Sequence, residues 1–360
     1  MAVLFMVNSA YQMITAVQLK MTRYRDTNAD IIITDNLAQY EKLKESTEKS
    51  GIFRNVFTMV TKDYDWKNWK FTLGSFLYDN VIEERLPEVV KLSYETFLYC
   101  NFAGVAPCVG AYMRRKKCSS LAMFEDGFAS YSDFWKEGLE QAFYPKSATD
   151  RILYSLIKRT PAYTSEYFVF NPELISDWNF GFRTERIEKI NDETKEALNL
   201  VFEYKKCRDD YSGVKCIFFE ESYYADGISV GDVDIVNRIA EIIGKENMFI
   251  KIHPRNPENR FEKLGYKTNK DTIIPWEIIA MNNDFSETIL MTIASGSSIT
   301  SYFVSDRMAE RSILLYDIDE IDKTVLTPSL PVFDKICRKD SYFFYPKSFT
   351  ELENEIRNNL

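Results

Sequence analysis

Short apolar runs alternate with longer segments whose apolar residues recur at helical spacing in the first third of the chain. The runs AVLFMV and ADIIITD have the composition of buried strands, and helical patterns follow them, AYQMITAVQLKMTRY and NLAQYEKLKESTEKSG. Gly51 stands where a left-handed residue commonly closes a helix. ETFLYCNF and SSLAMFEDG predict further strands. Strands that alternate with helices predict a parallel sheet that is covered on both faces.

The same alternation returns after residue 212. VKCIFFEES, ENMFIKIHP and RSILLYDI predict strands, VGDVDIVNRIAEIIGK predicts an amphipathic helix, and SFTELENEIRNNL predicts a last helix with Ser348 as its N-cap. Between the two halves, over about 128–211, aromatic residues are abundant and the alternation fades, which we interpret as an insertion or a linking region. We therefore predict an α/β protein with a Rossmann-like domain over 1–170, a second over 212–345 and a closing helix over 346–360.

The composition limits the classes of partner and the compartment. A net charge of −9 argues against a protein that coats nucleic acid, because phosphate contacts need clustered Lys and Arg. None of the six cysteines forms a CxxC pair, so we expect reduced thiols and a cytoplasmic protein. The cluster MRRKKC, Met113–Cys118, either ends a helix in solvent or contacts the inner face of the cytoplasmic membrane. The abundance of aromatic residues predicts a homodimer.

The only histidine of the chain lies at the end of a predicted strand. His253 is followed by Pro254, which stops the strand, and Lys251 leaves the strand on the same face two residues earlier. Ligands of open α/β sheets bind beyond the carboxyl ends of the strands. With Arg255 nearby, these side chains predict a small cationic site for a phosphate or an acidic leaving group. The alternative is a structural histidine.

A second candidate element, TIASGSSITSYF, passes from a strand through small residues into a helix. Hydroxyl groups and N–H groups at a helix N-terminus can bind a phosphate, which makes Ser295, Gly296, Ser297 and Ser298 candidates. Plain helix capping is the alternative. Glu277 of the intervening PWE sequence would lie in the first turn of a helix, where its carboxylate could accept hydrogen bonds from two ribose hydroxyls or only complement the helix dipole.

Acidic and amide side chains follow other predicted strands. One carboxylate of the pair before Gly127 could act as a general base on a hydroxyl, although Asp-Gly is also a common solvated turn. A similar acid–glycine step follows the first strand of the second half and competes for the same role. Amide and hydroxyl side chains after the first strand would face the gap between the domains. These candidates are Glu125, Asp126 and Asp226, with Asn8, Ser9 and Gln12 on the acceptor side.

The order of these motifs, acid-acid-Gly, then K-x-H-P, then Ser-Ser, resembles the bacterial sialyltransferases. The chain is most similar to the lipooligosaccharide and capsule sialyltransferases of glycosyltransferase family 52, and families 80 and 38 have related motifs. The resemblance implies a GT-B fold, in which two Rossmann-like domains enclose the active site in the interdomain cleft. It also implies CMP-sialic acid as the donor and no requirement for a metal ion or another cofactor.

The resemblance further implies roles for the candidate residues. His253 would bind the CMP phosphate and act as general acid toward the leaving group. Ser297 and Ser298, with Ser295, would hold the same phosphate. Lys251 would lie beside the cytidine, and Glu277 would take the ribose hydroxyls. The base would be Asp126, with Glu125 beside it, or Asp226, and the sequence leaves this choice open.

The predicted function is therefore metal-independent transfer of sialic acid from CMP-sialic acid to a terminal sugar of a surface glycan, either lipooligosaccharide or capsule. Negative charge on the departing phosphate would be stabilised by hydroxyls, a helix N-terminus and an imidazolium. The acidic pair in DVD, Asp232–Asp234, begins a helix and is interpreted as capping. Two alternatives remain, a CDP-glycerol or UDP-hexose transferase and a non-catalytic module that binds a nucleotide or a glycan.

Overall fold

The computed structural model divides the chain into two compact units, Met1–Glu203 and Tyr204–Leu360. Each unit is an α/β domain with its own parallel sheet. The structure describes residues 2–62, 75–101, 105–116, 118–144, 146, 160–270, 274–306, 309–319, 321, 330–337 and 340–359.

The first unit contains a seven-stranded sheet in the described residues, with the order β3-β2-β1-β4-β5-β6-β7. Its strands, all paired in parallel, are β1 Ala2–Val7, β2 Asn28–Thr34, β3 Asn55–Met59, β4 Tyr94–Tyr99, β5 Cys118–Phe124, β6 Thr164–Val169 and β7 Arg183–Arg186. Its helices are α1 Ala10–Met21, α2 Tyr40–Ser50, α3 Ser75–Arg85, α4 Val105–Lys116, α5 Asp133–Phe143 and α6 Asp192–Val201. The strand order reverses between β1 and β4, which is where Rossmann-like sheets open a crevice.

Apolar residues on both faces of the central strands form the core of this unit. Every residue of β1 is buried, and the Phe5 ring makes edge-on contacts with Phe53 and Phe124 at centroid distances of 5.8 and 6.1 Å. Continuous burial explains why AVLFMV reads as an unbroken apolar run rather than an alternating one. The helix predicted after β2 is α2, and Gly51 closes it with a φ of 67°.

Part of the aromatic region extends the first sheet. Its described residues contain β6, β7 and α6, and residues 147–159 lie outside the described part of the chain. Phe143, Phe180 and Phe182 form a cluster with ring centroids 5.2 to 5.7 Å apart, and Phe182 also contacts Tyr167 of β6. The aromatic side chains therefore pack beside the edge of this sheet.

The second unit repeats the strand order of the first. Its six-stranded sheet, counted over the described ranges, has the order β10-β9-β8-β11-β12-β13. The strands are β8 Cys216–Phe219, β9 Met248–Lys251, β10 Lys267–Thr268, β11 Ile289–Thr292, β12 Arg311–Leu314 and β13 Phe343–Phe344. The helices are α7 Asp232–Ile243, α8 Arg260–Lys263, α9 Trp276–Asn282, α10 Ser297–Val304, α11 Leu330–Cys337 and α12 Phe349–Asn359. All strand pairs are parallel, so the prediction of two Rossmann-like α/β domains is confirmed.

The closing helix belongs to the second unit. The Glu351 N–H donates to Ser348 Oγ at 3.3 Å, which confirms Ser348 as the N-cap of α12. The Arg238 guanidinium of α7 lies 3.2 Å from the centroid of the Phe349 ring. Cation–π contact and helix packing thus fix the C-terminal helix against α7.

The basic cluster at the end of α4 is paired within its own unit. Arg115 lies 2.5 Å and Lys116 3.1 Å from the Asp79 carboxylate of α3, and Arg114 lies over the Tyr163 ring. Lys117 lies outside the described residues. None of the described helices is both long enough and apolar enough to cross a membrane.

A buried carboxylate anchors the outer strands of the first sheet. Asp30 of β2 is fully buried and accepts hydrogen bonds from Arg54, at 2.9 and 2.6 Å, from Asn55 at 3.1 Å and from Tyr94 of β4 at 2.9 Å. The two bonds from Arg54 balance the charge of Asp30, and removal of one partner of a buried ion pair leaves the other uncompensated.

We expect Arg54→Ala to lower the free energy of unfolding by about 2–4 kcal/mol, because Asp30 keeps its charge but loses two bonds. Urea unfolding followed by circular dichroism would measure the loss. Arg25→Ala is the matched control, since Arg25 pairs with Glu193 on the surface and about half of each side chain is exposed. That control should lose about 1 kcal/mol or less. Equal losses in both variants would contradict the anchoring role of Asp30.

Candidate functional site

The candidate donor-side residues of the second unit meet at the carboxyl edge of its sheet. β9, β8 and β11 are neighbouring parallel strands, so the segments that follow them leave the sheet side by side. His253 follows β9, a glutamate pair follows β8, and the serine-rich turn joins β11 to α10. The structure therefore brings together the two motifs that the sequence predicts as a phosphate site.

His253 is a neutral imidazole in the ligand-free protein. Burial lowers its pKa to about 4, with the charges of Arg255 and Lys251 acting in the same direction. The backbone N–H of Arg255 donates to His253 Nδ1 at 3.2 Å, so the ring hydrogen lies on Nε2. The backbone N–H of His253 donates to the buried Glu220 carboxylate at 3.2 Å. The imidazolium expected from the sequence would therefore need the negative charge of a bound ligand.

The serine turn contains residues with different exposure. Ser295, Gly296 and Ser297 are half-buried, whereas Ser298 is fully buried. The Ser297 N–H donates to Ser295 Oγ at 3.3 Å, and Ser298 Oγ donates back to the Ser295 carbonyl at 3.5 Å. Gly296 begins α10 without a capping side chain. Ser295 and Ser297 are thus open to a ligand, while Ser298 packs inside the turn.

Glu221 is a residue of this edge that the sequence interpretation missed. Its Oε1 accepts from Thr292 Oγ1 at 2.5 Å and from the Ala294 N–H at 2.8 Å, which ties the end of β8 to the start of the serine turn. Its Oε2 is buried without a hydrogen-bond partner in the described structure. Burial raises the pKa of Glu221 to about 7. Its position two residues after a buried strand, in FFEES, is the signal that could have revealed it.

Glu277 joins two helices at the same site. It is only 6% exposed and accepts a hydrogen bond from Thr300 Oγ1 of α10. Burial raises its pKa, and the charge of Lys251 opposes that rise. Pro254, another candidate residue of this edge, differs from Glu277 in that it is exposed to solvent. The Glu277 carboxylate therefore contributes to packing between α9 and α10, with only a small exposed part.

Asp226 lies in a short 3-10 segment after β8 and is held by an ion pair. Its Oδ1 is 2.5 Å from the Arg255 guanidinium, and 43% of its side chain is exposed. The neighbouring Ala225 N–H donates to Asn256 Oδ1 at 3.1 Å. The ion pair with Arg255 therefore already occupies one oxygen of the Asp226 carboxylate.

The acceptor-side candidates of the first unit also come together at a carboxyl edge. Ser9 caps α1 by accepting from the Gln12 N–H at 3.2 Å, and its hydroxyl donates to Asp126 Oδ1 at 3.4 Å. The Asn8 N–H donates to Gln12 Oε1 at 2.6 Å. Burial raises the pKa of Asp126 although hydrogen bonds from Gln12 and Ser9 oppose the rise. Asp126 itself remains partly exposed.

Glu125 is a buried anchor beside Asp126. It is fully buried and accepts hydrogen bonds from the Tyr11 hydroxyl at 2.5 Å, from the Tyr131 hydroxyl and from the Phe170 N–H at 2.7 Å. Burial raises its pKa to about 7 despite these bonds. Of the adjacent carboxylates, Glu125 thus links α1, β5 and β6, and Asp126 is the one that solvent and a substrate can reach.

The two Rossmann-like domains define a GT-B type protein. An alpha/beta-galactoside alpha-2,3-sialyltransferase from Photobacterium phosphoreum is similar in structure, with a TM-score of 0.53, 13% identity and coverage of 96% of this chain and 98% of that one. A UDP-GlcNAc 2-epimerase from Methanocaldococcus jannaschii has a TM-score of 0.53 and 12% identity, with coverage of 100% and 91%. At these identities the likeness shows the fold alone.

The model of the alpha-2,8-polysialyltransferase family matches residues 3–303, and the protein belongs to this family. It is therefore a sialyltransferase, which confirms that part of the sequence-based prediction, whereas the assignment to family 52 is not confirmed. The chain is also 25% identical over 249 residues to the ubiquinone/menaquinone biosynthesis C-methyltransferase UbiE of Rickettsia massiliae, with 65% of this chain and 94% of that protein covered. This weaker likeness establishes no activity.

The described residues contain no group of three or more His, Cys, Asp or Glu side chains that could hold a metal ion.

We expect Glu221→Gln to change how the stability of the second unit depends on pH. The folded-state pKa of about 7 lies above the ordinary glutamate value of 4.5, so wild-type stability falls as pH rises through this window. The glutamine variant lacks this loss and should be more stable than wild type at pH 8, by about 1–3 kcal/mol, and similar near pH 4.5.

Thermal unfolding between pH 4.5 and 8 would measure the difference. Glu241→Gln, on the exposed surface of α7, is the matched control and should follow the wild-type profile. A constant difference between Glu221→Gln and wild type across this range would contradict titration of Glu221 near neutral pH.

Proposed function

We propose that this protein transfers sialic acid from CMP-sialic acid to the 8-hydroxyl of a terminal sialic acid on a surface glycan, either lipooligosaccharide or capsule. The family supports both the transferred sugar and the linkage, since its name describes alpha-2,8-polysialyltransferases. In this proposal the second unit binds the donor and the first unit binds the acceptor. Neither a metal ion nor another cofactor takes part.

The observation that carries the proposal is the set of hydrogen-bond donors at the carboxyl edge of β9, β8 and β11. His253 presents Nε2–H, and the half-buried Ser295 and Ser297 lie at the uncapped N-terminus of α10. When the bond between the sugar and the phosphate breaks, its electrons pass to the phosphate oxygen. Fixed donors at this position stabilise the growing negative charge.

The low pKa of His253 suits a general acid that becomes protonated only when its substrate binds. The two neighbouring cations disfavour a charged ring in the free protein, and the bound phosphate would supply the opposite charge. His253 would then take up a proton on Nδ1, which would end the hydrogen bond from the Arg255 backbone N–H, and would donate the Nε2 proton to the departing phosphate. Lys251 would lie beside the nucleotide, and Glu277 would present its exposed part to the ribose hydroxyls.

Asp126 is the proposed general base. It would take the proton of the acceptor hydroxyl while the hydroxyl oxygen forms the new bond to the sialic acid. Its raised pKa makes it a stronger base than an ordinary aspartate. Asp226 is paired with Arg255, and Glu125 is fully buried, so both fit this role less well.

The buried thiols of Cys100 and Cys216 are not in disulfides, which supports a reducing compartment such as the cytoplasm. The homodimer and the contact with the inner face of the membrane stay predictions.

We expect CMP to raise the melting temperature of the protein, because a ligand that binds only the folded state stabilises it, by about 2.7 kcal/mol at 100 times its Kd. CMP, CDP, UMP, UDP, GDP and S-adenosylmethionine would be compared by thermal unfolding, with EDTA and with magnesium. The CMP shift should be the same in both conditions, and His253→Ala should reduce it.

Other outcomes of this comparison identify the competing functions. A shift with UDP or CDP alone would favour a hexosyltransferase or a glycerophosphotransferase. A shift with S-adenosylmethionine alone would favour a methyltransferase, and a CMP shift that needs magnesium would contradict metal independence.

We expect Asp126→Asn to lower kcat for transfer by about 10²–10⁴-fold, since the amide cannot accept the proton. Asp226→Asn is the matched comparison and should retain kcat within a few-fold. CMP released in the presence of a sialylated acceptor would be measured for both, and the CMP-induced thermal shift should remain in Asp126→Asn. The opposite ranking of the two variants would assign the base to Asp226.

A further inference from the structure

Two asparagine residues flank Asp126 at the carboxyl edge of the first sheet. Asn101 follows β4 by two residues and Asn171 follows β6 by two residues, while β5, which leads into Asp126, lies between these strands. Asn101 Oδ1 and Asn171 Nδ2 are buried atoms without a hydrogen-bond partner in the described structure. Both residues remain partly exposed. None of the roles assigned above uses either amide.

The strand register shows where the backbones of Asn101 and Asn171 lie relative to Asp126. Tyr99 pairs with Met123, so Asn101 follows β4 at the level of Glu125. Phe124 pairs with Phe168, so Asn171 follows β6 one residue beyond the level of Asp126. Neighbouring strands are about 4.8 Å apart. The backbones of Asn101 and Asn171 therefore lie about one strand spacing to either side of the segment that carries Glu125 and Asp126.

The backbone at Asn171 is held more firmly than its side chain. Its N–H donates to the Tyr131 hydroxyl at 3.0 Å, and its carbonyl accepts from the Leu174 N–H at 3.0 Å. Tyr131 in turn donates to Glu125, which precedes Asp126. The network that anchors Glu125 thus also fixes the Asn171 backbone, while the amide Nδ2 keeps its hydrogen-bonding capacity.

An unpaired buried amide is unfavourable, by about 1–3 kcal/mol, and folded proteins keep few of them. Asn101 Oδ1 and Asn171 Nδ2 belong to partly exposed residues on either side of the segment that carries an accessible carboxylate, so a ligand at this edge can supply the partners that they lack. A sugar hydroxyl both donates and accepts, so it can satisfy an amide oxygen on one side and an amide nitrogen on the other.

We propose that Asn101 and Asn171 bind hydroxyls of the acceptor sugar on both sides of Asp126 and so select the hydroxyl that receives the transferred group. The inference rests on the proposed function and extends it from the base to the choice of linkage. A site that hydrogen-bonds a substrate hydroxyl rejects analogues that lack it, because its own buried polar groups then stay unpaired.

The test uses Asn101→Ala and Asn171→Ala in the full chain, with Asn101→Ser and Asn171→Ser as second variants. Asn28→Ala is the matched control, since Asn28 is an exposed residue at the amino end of β2 in the same sheet. Transfer would be measured at saturating CMP-sialic acid with varied sialylated acceptor, and CMP release to water would be measured without acceptor. Disialic acid would also be tested as a ligand by thermal unfolding.

We expect kcat/KM for the acceptor to fall by about tenfold or more in each variant, since each loses a hydrogen bond to the sugar. The KM for CMP-sialic acid and CMP release to water should stay within about twofold of wild type. Disialic acid should raise the melting temperature of wild type and Asn28→Ala, and raise it less in the two alanine variants. The ligand-free melting temperatures should not fall, because Asn101 Oδ1 and Asn171 Nδ2 make no intramolecular hydrogen bond that the substitutions would remove.

Two results would overturn the inference. Wild-type transfer with unchanged acceptor kcat/KM in all variants would show that the amides do not bind the acceptor. Lower ligand-free melting temperatures with an unchanged disialic acid shift would show a structural role instead. A wild-type protein that releases no CMP from CMP-sialic acid, with or without acceptor, would instead refute the proposed function on which the inference rests.

Discussion

A buried glutamate within two residues of the end of an inner strand organises the carboxyl edge of each sheet. Glu125 accepts from two tyrosine hydroxyls and a backbone N–H, so it connects α1, β5 and β6 around Asp126. Glu221 accepts from Thr292 and Ala294, so it fixes the turn that precedes α10. Both carboxyl groups have a raised pKa because they are removed from water. The buried Glu125 and Glu221 thus position Asp126 and the serine turn, which are more accessible than the glutamates themselves.

The two edges differ in the chemistry that they offer. The second unit presents hydrogen-bond donors, with His253 neutral and two cations beside it, which suits a ligand that brings its own negative charge. The first unit presents a carboxylate and amide groups, which suit the hydroxyls of a sugar. A donor with a phosphate and an acceptor with hydroxyls match these two environments, and both belong to the reaction of a sialyltransferase.

The sequence predicts most of the inner strands, because strands buried on both faces appear as continuous apolar runs such as AVLFMV and CIFF. It misses the inner strand β6, whose sequence TSEYFV is not a continuous apolar run. It misses β7, with the sequence RTER, since an edge strand that faces solvent has no apolar pattern. The ends of the predicted strands also identify His253, Asp126 and the serine turn as candidate site residues in the sequence. The pairing of Asp226 with Arg255 and the burial of Ser298 depend on contacts between distant segments, so no local pattern reveals them.

The single histidine has a consequence for spectroscopy. Because His253 is the only imidazole in 360 residues, a sample labelled at histidine ring nitrogens contains one labelled site, and that site lies at the carboxyl edge of the second sheet. Its Nδ1 accepts a backbone hydrogen bond and its Nε2 carries the proton, so the two nitrogens should have different chemical shifts in the free protein. Protonation on ligand binding would bring these shifts together, which makes the ring a native probe of the donor site.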